Sequence, residues 1–479
     1  GRGQQDGKIK GQARYHLESG DYHGRVESII HPRLLIPVLN SNQAAMVNSF
    51  VFRGPPIAIA ADFSGRTENN DALWVSGLIQ SSNFTYQTVP ITSFKSRVGY
   101  TNGIIAFTAI RLVRPEGEFT GHLEENINSS IANLDLVSTV DPTAIARLAG
   151  PEIAAYLDGV RLGGPVRLAV RGCLDHDKGA LTDIRAELDG SRLEYAFLDV
   201  DRCSLKLTVK QFRIDLTDIR AELYGGTMAG RAAFYPVGGI TNFKYDVSLK
   251  GDDLNLNTLV KSLDYKGDED YKGSIYSECT VSGFFGKDRN DTISGGGWVR
   301  IQDGQLFQRS LFGGFSRLFS ILYPGIGTIS LTDLSTKFTV QNQKVQVHHV
   351  TLSGPTFSLL GEGYYAFDET LDFIVWLQPP EAKTIIGWLS EIPQPLFSKL
   401  LVVRLTGTVS DPKWWPLNLT GDQLLALPKD LIVNMPSDVL KDLPKDLLTT
   451  LPKEVLGALP EKLFINLPKD LLNMLKPSF

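Results

Sequence analysis

Few side chains in this sequence stand at spacings that could support chemistry. The pair His348-His349 is the most suggestive, because imidazoles ligate metals. The segment reads as a strand, where adjacent residues point to opposite faces, which does not suit a shared ion. Asp175-His176-Asp177 could orient a ligand, yet Lys178-Gly179 follows at once and marks a turn. Gly295-Gly296-Gly297 lacks the Gly-Lys-Ser/Thr ending that lets a glycine loop hold phosphate. No serine-nucleophile elbow and no HExxH helix occurs. Cysteines stand only at 173, 203 and 279, with no CxxC and no neighbouring histidine cluster, so no zinc site is expected. A single Cys173–Cys203 bridge is one option, and three small buried apolar residues is the other. These residues point away from catalysis, and neither a metal nor an organic cofactor is expected.

The elements that would position any site are strands. The chain has 479 residues, 42% hydrophobic and 21% charged, with a formal net charge of −5. That balance suits a folded protein and not a phosphate-tracking nucleic-acid binder. No run of 18 apolar residues occurs, so no segment reads as a membrane-spanning helix. The chain starts at Gly1, and an N-terminal signal or anchor is expected to have been lost before it.

Apolar and polar residues alternate in Leu134 and Leu136, in Leu205, Leu207 and Val209, and in Phe243, Tyr245, Val247 and Leu249. The same period recurs in Val345 and Val347, and in Leu371, Phe373, Val375 and Leu377. Period two places each set on one face of a sheet, with the polar set in water on the other. The expected fold is therefore mainly antiparallel β, with a few short helices. Its apolar face must be covered by a second sheet, by closure into a barrel, or by curling around an apolar ligand. Alternation alone does not choose among these.

Repeats organise the strands. LTDIRAEL occurs at Leu181–Leu188 and again at Leu216–Leu223, an echo expected within a meander. A longer unit begins near Gly11, Gly121, Gly230 and Gly361: a glycine, a strand, a polar turn, a second strand, then a short apolar helix. The starts lie 110, 109 and 131 residues apart. The last interval holds an added helical pattern with Leu311, Phe315, Leu318 and Leu322 on one face. Residues 1–420 thus form a repeating β region, and 421–479 is different in kind. There Pro428, Pro436, Pro444, Pro452, Pro460 and Pro468 recur every eight residues in an LPxDLLxx pattern. Proline fits the first turn of a helix and not its interior, so a series of short helical turns is expected.

The segment Ser294–Leu419 resembles the C-terminal region of bacterial AsmA-like proteins, the AsmA/TamB/YhdP group. The resemblance rests on GGGWVRIQDGQL at 295–306, VQVHHVTLSGPTFSLLGEGYYAFDETLDF at 345–373 and RLTGTVSDPKWWPLNL at 404–419. ELYGGTMAGRAAFYP at 222–236 is similar to upstream units of such proteins. The resemblance implies an elongated, twisted β-groove of repeated units in the periplasm of a Gram-negative bacterium, anchored in the inner membrane. It implies phospholipid as the partner, moved between inner and outer membranes, and a part in outer-membrane biogenesis. The 15 residues of the five ladders would then line the groove. The alternative is a non-catalytic assembly or structural factor that meets envelope proteins through its sheet edges and tail. A β-scaffold glycan hydrolase is a third option, and it requires two carboxylates facing one cleft.

Overall fold

The computed structural model describes residues 7–417, apart from 39–40, 150–153, 155–156, 196–197, 240–241, 264–270, 287–288, 306–330, 356–357 and 379–401. The octad tail, the helical pattern at 311–322 and the apolar helix after the fourth glycine lie outside the described residues. The chain divides into two compact units, Gly1–Val247 and Ser248–Phe479. Among the described residues strand is the main element, every pairing is antiparallel, and the sheet is open.

The first unit opens with β1 (Lys8–Tyr15), β2 (Asp21–Ile30), β3 (Phe50–Phe52), β4 (Ile57–Arg66), β5 (Asn69–Tyr86) and β6 (Val89–Thr101). It continues with β7 (Ile104–Arg114), β8 (Gly117–Asn126), β9 (Ile131–Ser138), β10 (Arg161–Leu162) and β11 (Val166–Asp175). β12 (Asp183–Tyr195), β13 (Leu198–Lys210), β14 (Arg213–Leu223) and β15 (Gly226–Pro236) follow, and β16 (Phe243–Asn255) runs across the division. Pairing mostly follows chain order, through hairpins; β2 pairs with β4, and β9 with β11. The second unit holds β17 (Ser274–Phe284), β18 (Ser294–Gln302), β19 (Asp333–Gln341), β20 (Lys344–Ser353), β21 (Ser358–Ala366), β22 (Thr370–Gln378), β23 (Val402–Thr408) and β24 (Pro412–Pro416), each paired with the next.

Helices are short: α1 (Ser41–Asn48), α2 (Pro142–Ala149) and α3 (Leu256–Ser262). α2 starts at Pro142, where a missing N–H costs nothing, and the Asp141 carboxylate accepts from the Thr143 N–H at 2.8 Å. Its Ala144 packs with Val89 and Val140, both nearly inaccessible to water. Beside it, Phe84, Ile91 and Leu112 gather Phe50, Phe52, Tyr86 and Phe119. The Phe50 and Tyr86 rings lie 4.4 Å apart. The first unit therefore has a closed apolar cluster at one end of β5–β8.

The three later repeat glycines share one local geometry. Gly121 pairs with Ile110, Gly230 with Ile219 and Gly361 with Val350. In each case the two residues before the partner form a bulge, so at that point β7, β14 and β20 carry one residue more than either neighbour. A bulge bends its strand and raises the local twist. Two bulges are closed by a hydroxyl from the facing strand. Ser96 donates to the Arg97 and Thr108 carbonyls, and Thr336 to those of Lys337 and His349. Gly121 has φ +148°, and a Cβ there would stand 2.1 Å from the Asp135 carbonyl oxygen, so no side chain fits.

This geometry corrects the expectation for His348-His349. They are the bulge of β20 and not consecutive residues of a regular strand. Val347 and Val350 both face the apolar side, which leaves both histidines on the polar side. His348 Nε2 lies 3.0 Å from Thr339 Oγ1, and His349 pairs with Lys337.

Candidate functional site

Register shows which side chains share a face, because directly paired residues point the same way. In the first unit one row reads Leu134, Gly172, Ile184, Val209, Ile214, Phe234 from β9 to β15. The next reads Leu136, Val170, Ala186, Leu207, Leu216, Ala232. A third begins Ser138, Leu168, Leu188, Leu205. The expected residues Leu134, Leu136, Leu205, Leu207 and Val209 therefore lie on one apolar face, and each is half-buried. Val170, Leu188 and Leu216 belong to the same rows; they alternate equally in sequence and were legible there.

The opposite face is charged. Asp135 meets Arg171 at 3.0 Å, Asp183 meets Lys210 at 3.8 Å and Asp218 meets Lys206 at 2.8 Å. The two copies of LTDIRAEL flank β13 from either side, and their aspartates Asp183 and Asp218 each reach one of its lysines. Lys206 holds the Asp218 carboxyl below its ordinary range, chiefly through their hydrogen bond. These pairs are well exposed and contribute little to stability. Their effect is to keep one face wet and leave the other free of charge.

Tyr235 orients the start of β16. It follows Phe234, which is on the apolar face, and its hydroxyl donates to Asp246 Oδ2 at 2.5 Å. Asp246 and Lys244 thus belong to the polar face, and alternation places Phe243, Tyr245 and Val247 on the apolar one. All three are half-buried, as is Leu249 two residues on.

In the second unit the remaining expected residues again share a face. Val345 lies between Val340 and Tyr365, and Val347 between Phe338 and Gly363. Leu371, Phe373 and Val375 lie between the β21 residues Tyr365, Gly363 and Gly361 and the β23 residues Gly407, Leu405 and Val403. Leu377 pairs with Leu359. Leu371, Val375 and Leu377 are buried, with Leu359 and Val403 wholly inaccessible. Val345, Val347 and Phe373 are half-buried.

The residues first considered for chemistry have structural roles. The Asp175 carboxylate accepts from the Asp177, Lys178 and Leu181 N–H groups, which tie the β11–β12 turn and hold its pKa below the ordinary range. All three cysteines are free and half-buried. Cys173 pairs with Asn133 on the charged face and Cys203 with Gly190 on the apolar one, so they cannot be bridged. Burial pushes the Cys203 and Cys279 thiols up, away from the reactive thiolate. Among the described residues no three His, Cys, Asp or Glu side chains gather as metal ligands, and no helix is long and apolar enough to cross a membrane.

No protein-family model, no curated protein and no solved structure matches this chain.

Proposed function

We propose that this chain binds phospholipid acyl chains along the apolar face of its first unit and conducts them between the two membranes of a Gram-negative envelope. The observation that carries the binding is the set of half-buried apolar rows across β9–β15, backed by a face of ion pairs. Such a face holds apolar surface in reserve, and each CH₂ of a guest laid on it contributes about 0.8 kcal/mol. Headgroups stay in water at the ends of the strands. No bond is made or broken, so no catalytic residue is required. The envelope setting rests on the resemblance of Ser294–Leu419 to AsmA-like proteins.

The test is lipid extraction and native mass spectrometry of the purified protein and of Leu136→Asp/Leu207→Asp. Co-purifying phospholipid in the parent, lost in the variant while its circular dichroism stays that of the parent, is expected. A parent that carries no lipid and takes none from vesicles would overturn the proposal. Arg171→Ala, on the charged face, should retain the lipid.

A further inference from the structure

The polar face of β11–β14 holds a small cleft of about 300 Å³. It lies where the two LTDIRAEL copies meet β13 out of step. Arg185 of the first copy pairs with Thr208, whereas Arg220 of the second pairs with Ser204. The offset brings Glu187 of one copy, and Asp218 and Arg220 of the other, around Ser204 and Lys206 of β13. The bulge at Asp218 lies beside them and bends β14. Arg167, Asp189, Ser204 and Arg220 form one row across the four strands, with Glu187 and Lys206 paired next to it. Lys206 is already taken by Asp218 at 2.8 Å. Among the described residues the side chains of Arg167, Glu187, Asp189, Ser204 and Arg220 make no hydrogen bond and no ion pair. Two guanidinium groups, two carboxylates and a hydroxyl therefore face one cleft with their bonding capacity unused.

We propose that this cleft binds a small zwitterion, with a primary ammonium and a phosphate separated by two carbons. The ammonium lies between Glu187 and Asp189, which are two residues apart on β12 and share its polar face. The phosphate takes the Ser204 hydroxyl and the Arg220 guanidinium, whose planar fork suits phosphate oxygens. β12 and β14 stand about 10 Å apart across β13, and the Glu187 and Arg220 side chains cover part of that span. Mixed charge sets the selectivity. A lone anion meets Glu187, Asp189 and Asp218, and a lone cation meets Arg167, Lys206 and Arg220. Only a ligand that carries both signs gains on each side without an opposed contact. The apolar rows lie on the reverse of the same strands, so this site does not depend on the lipid reading.

The experiment is calorimetric titration of the purified chain at low ionic strength, where exposed charges are least screened. The probes are O-phosphoethanolamine, ethanolamine and methyl phosphate. Phosphoethanolamine is expected to bind with a Kd of about 1 mM. That should be about tenfold tighter than either half-ligand, since each engages one side alone. Glu187→Gln/Asp189→Asn should abolish the advantage over methyl phosphate, and Arg220→Gln the advantage over ethanolamine. All three substituted side chains are exposed, and circular dichroism checks that the fold is kept. Vesicles of phosphatidylethanolamine displace the probe if a lipid headgroup is the natural source, and leave it bound if a free aminoalkyl phosphate is. Absence of saturable phosphoethanolamine binding overturns the proposal. So does equal binding of the three probes, or an advantage that survives the substitutions.

Discussion

The apolar face differs between two regions of the molecule. From β9 to β15 Leu136, Leu207 and Val209 are half-buried, whereas around β21–β24 Leu359, Leu377 and Val403 are closed off from water. Both regions arise from the same period-two pattern and the same antiparallel register. Alternation decides which face a side chain takes, but not whether that face is filled. The closed region behaves as a core whose stability lies in packed side chains. The open one rests on its backbone ladder and keeps its apolar surface available.

Truncation should separate the regions most strongly. Leu359→Ala is expected to cost about 2–5 kcal/mol in urea unfolding, as for a fully packed leucine. Leu207→Ala should cost less, about 1 kcal/mol, because part of its surface already meets solvent. Equal costs would remove the distinction. A backbone change in the open region should outrank that side-chain change. Gly172 has φ +139°, and a Cβ would stand 2.0 Å from the Asp183 carbonyl oxygen. Gly172→Ala should therefore cost more than Leu207→Ala, roughly 1–3 kcal/mol by the same measurement.

Ion pairs extend the contrast on a smaller scale. Arg404 grips Asp372 through two 2.9 Å hydrogen bonds on the second unit, with both side chains about a quarter exposed. Arg404→Ala should be the more damaging change, and Arg171→Ala should stay within about 1 kcal/mol. Acid should act on the first unit through Asp175. Its folded pKa lies below the unfolded one, so its contribution is full above the ordinary carboxylate range. That contribution is lost as pH falls through the lowered value. Asp175→Asn should be less stable at neutral pH and lose less on acidification, as followed by fluorescence from pH 6 to about pH 2.

The faces were legible in the sequence because side-chain period and strand period coincide. All 15 expected apolar residues could be named from alternation, and the repeat glycines mark the partners of the bulges. The bulges themselves were not legible. An extra residue leaves no mark in an apolar pattern until both neighbours are known, which is why His348 and His349 read as facing opposite ways. Filling was not legible either, since burial depends on what lies above a face and not on its own residues. LTDIRAEL shows the limit within eight residues. Its first copy enters a regular strand at Asp183, while in the second Asp218 takes φ +52° as part of a bulge. Ile184, Ala186 and Leu188 nonetheless share their face with Ile219, Ala221 and Leu223.

The hairpin order of the strands also bears on how the chain reaches its native state. Nearly every described strand pairs with one that has just preceded it, so each new segment finds its template already made. Loop closure is short at most such steps, the longer connections before β19 and β23 excepted, and the search stays largely local. A chain of this kind can organise in the direction of its synthesis, without waiting for its last residues. A slip of one position would turn every apolar side chain of a strand to the wrong face. The bulges of β7, β14 and β20 interrupt the ladder at fixed points and oppose such a slip. In a protein made of near-copies they act as register marks, limiting errors at the moment each unit is added.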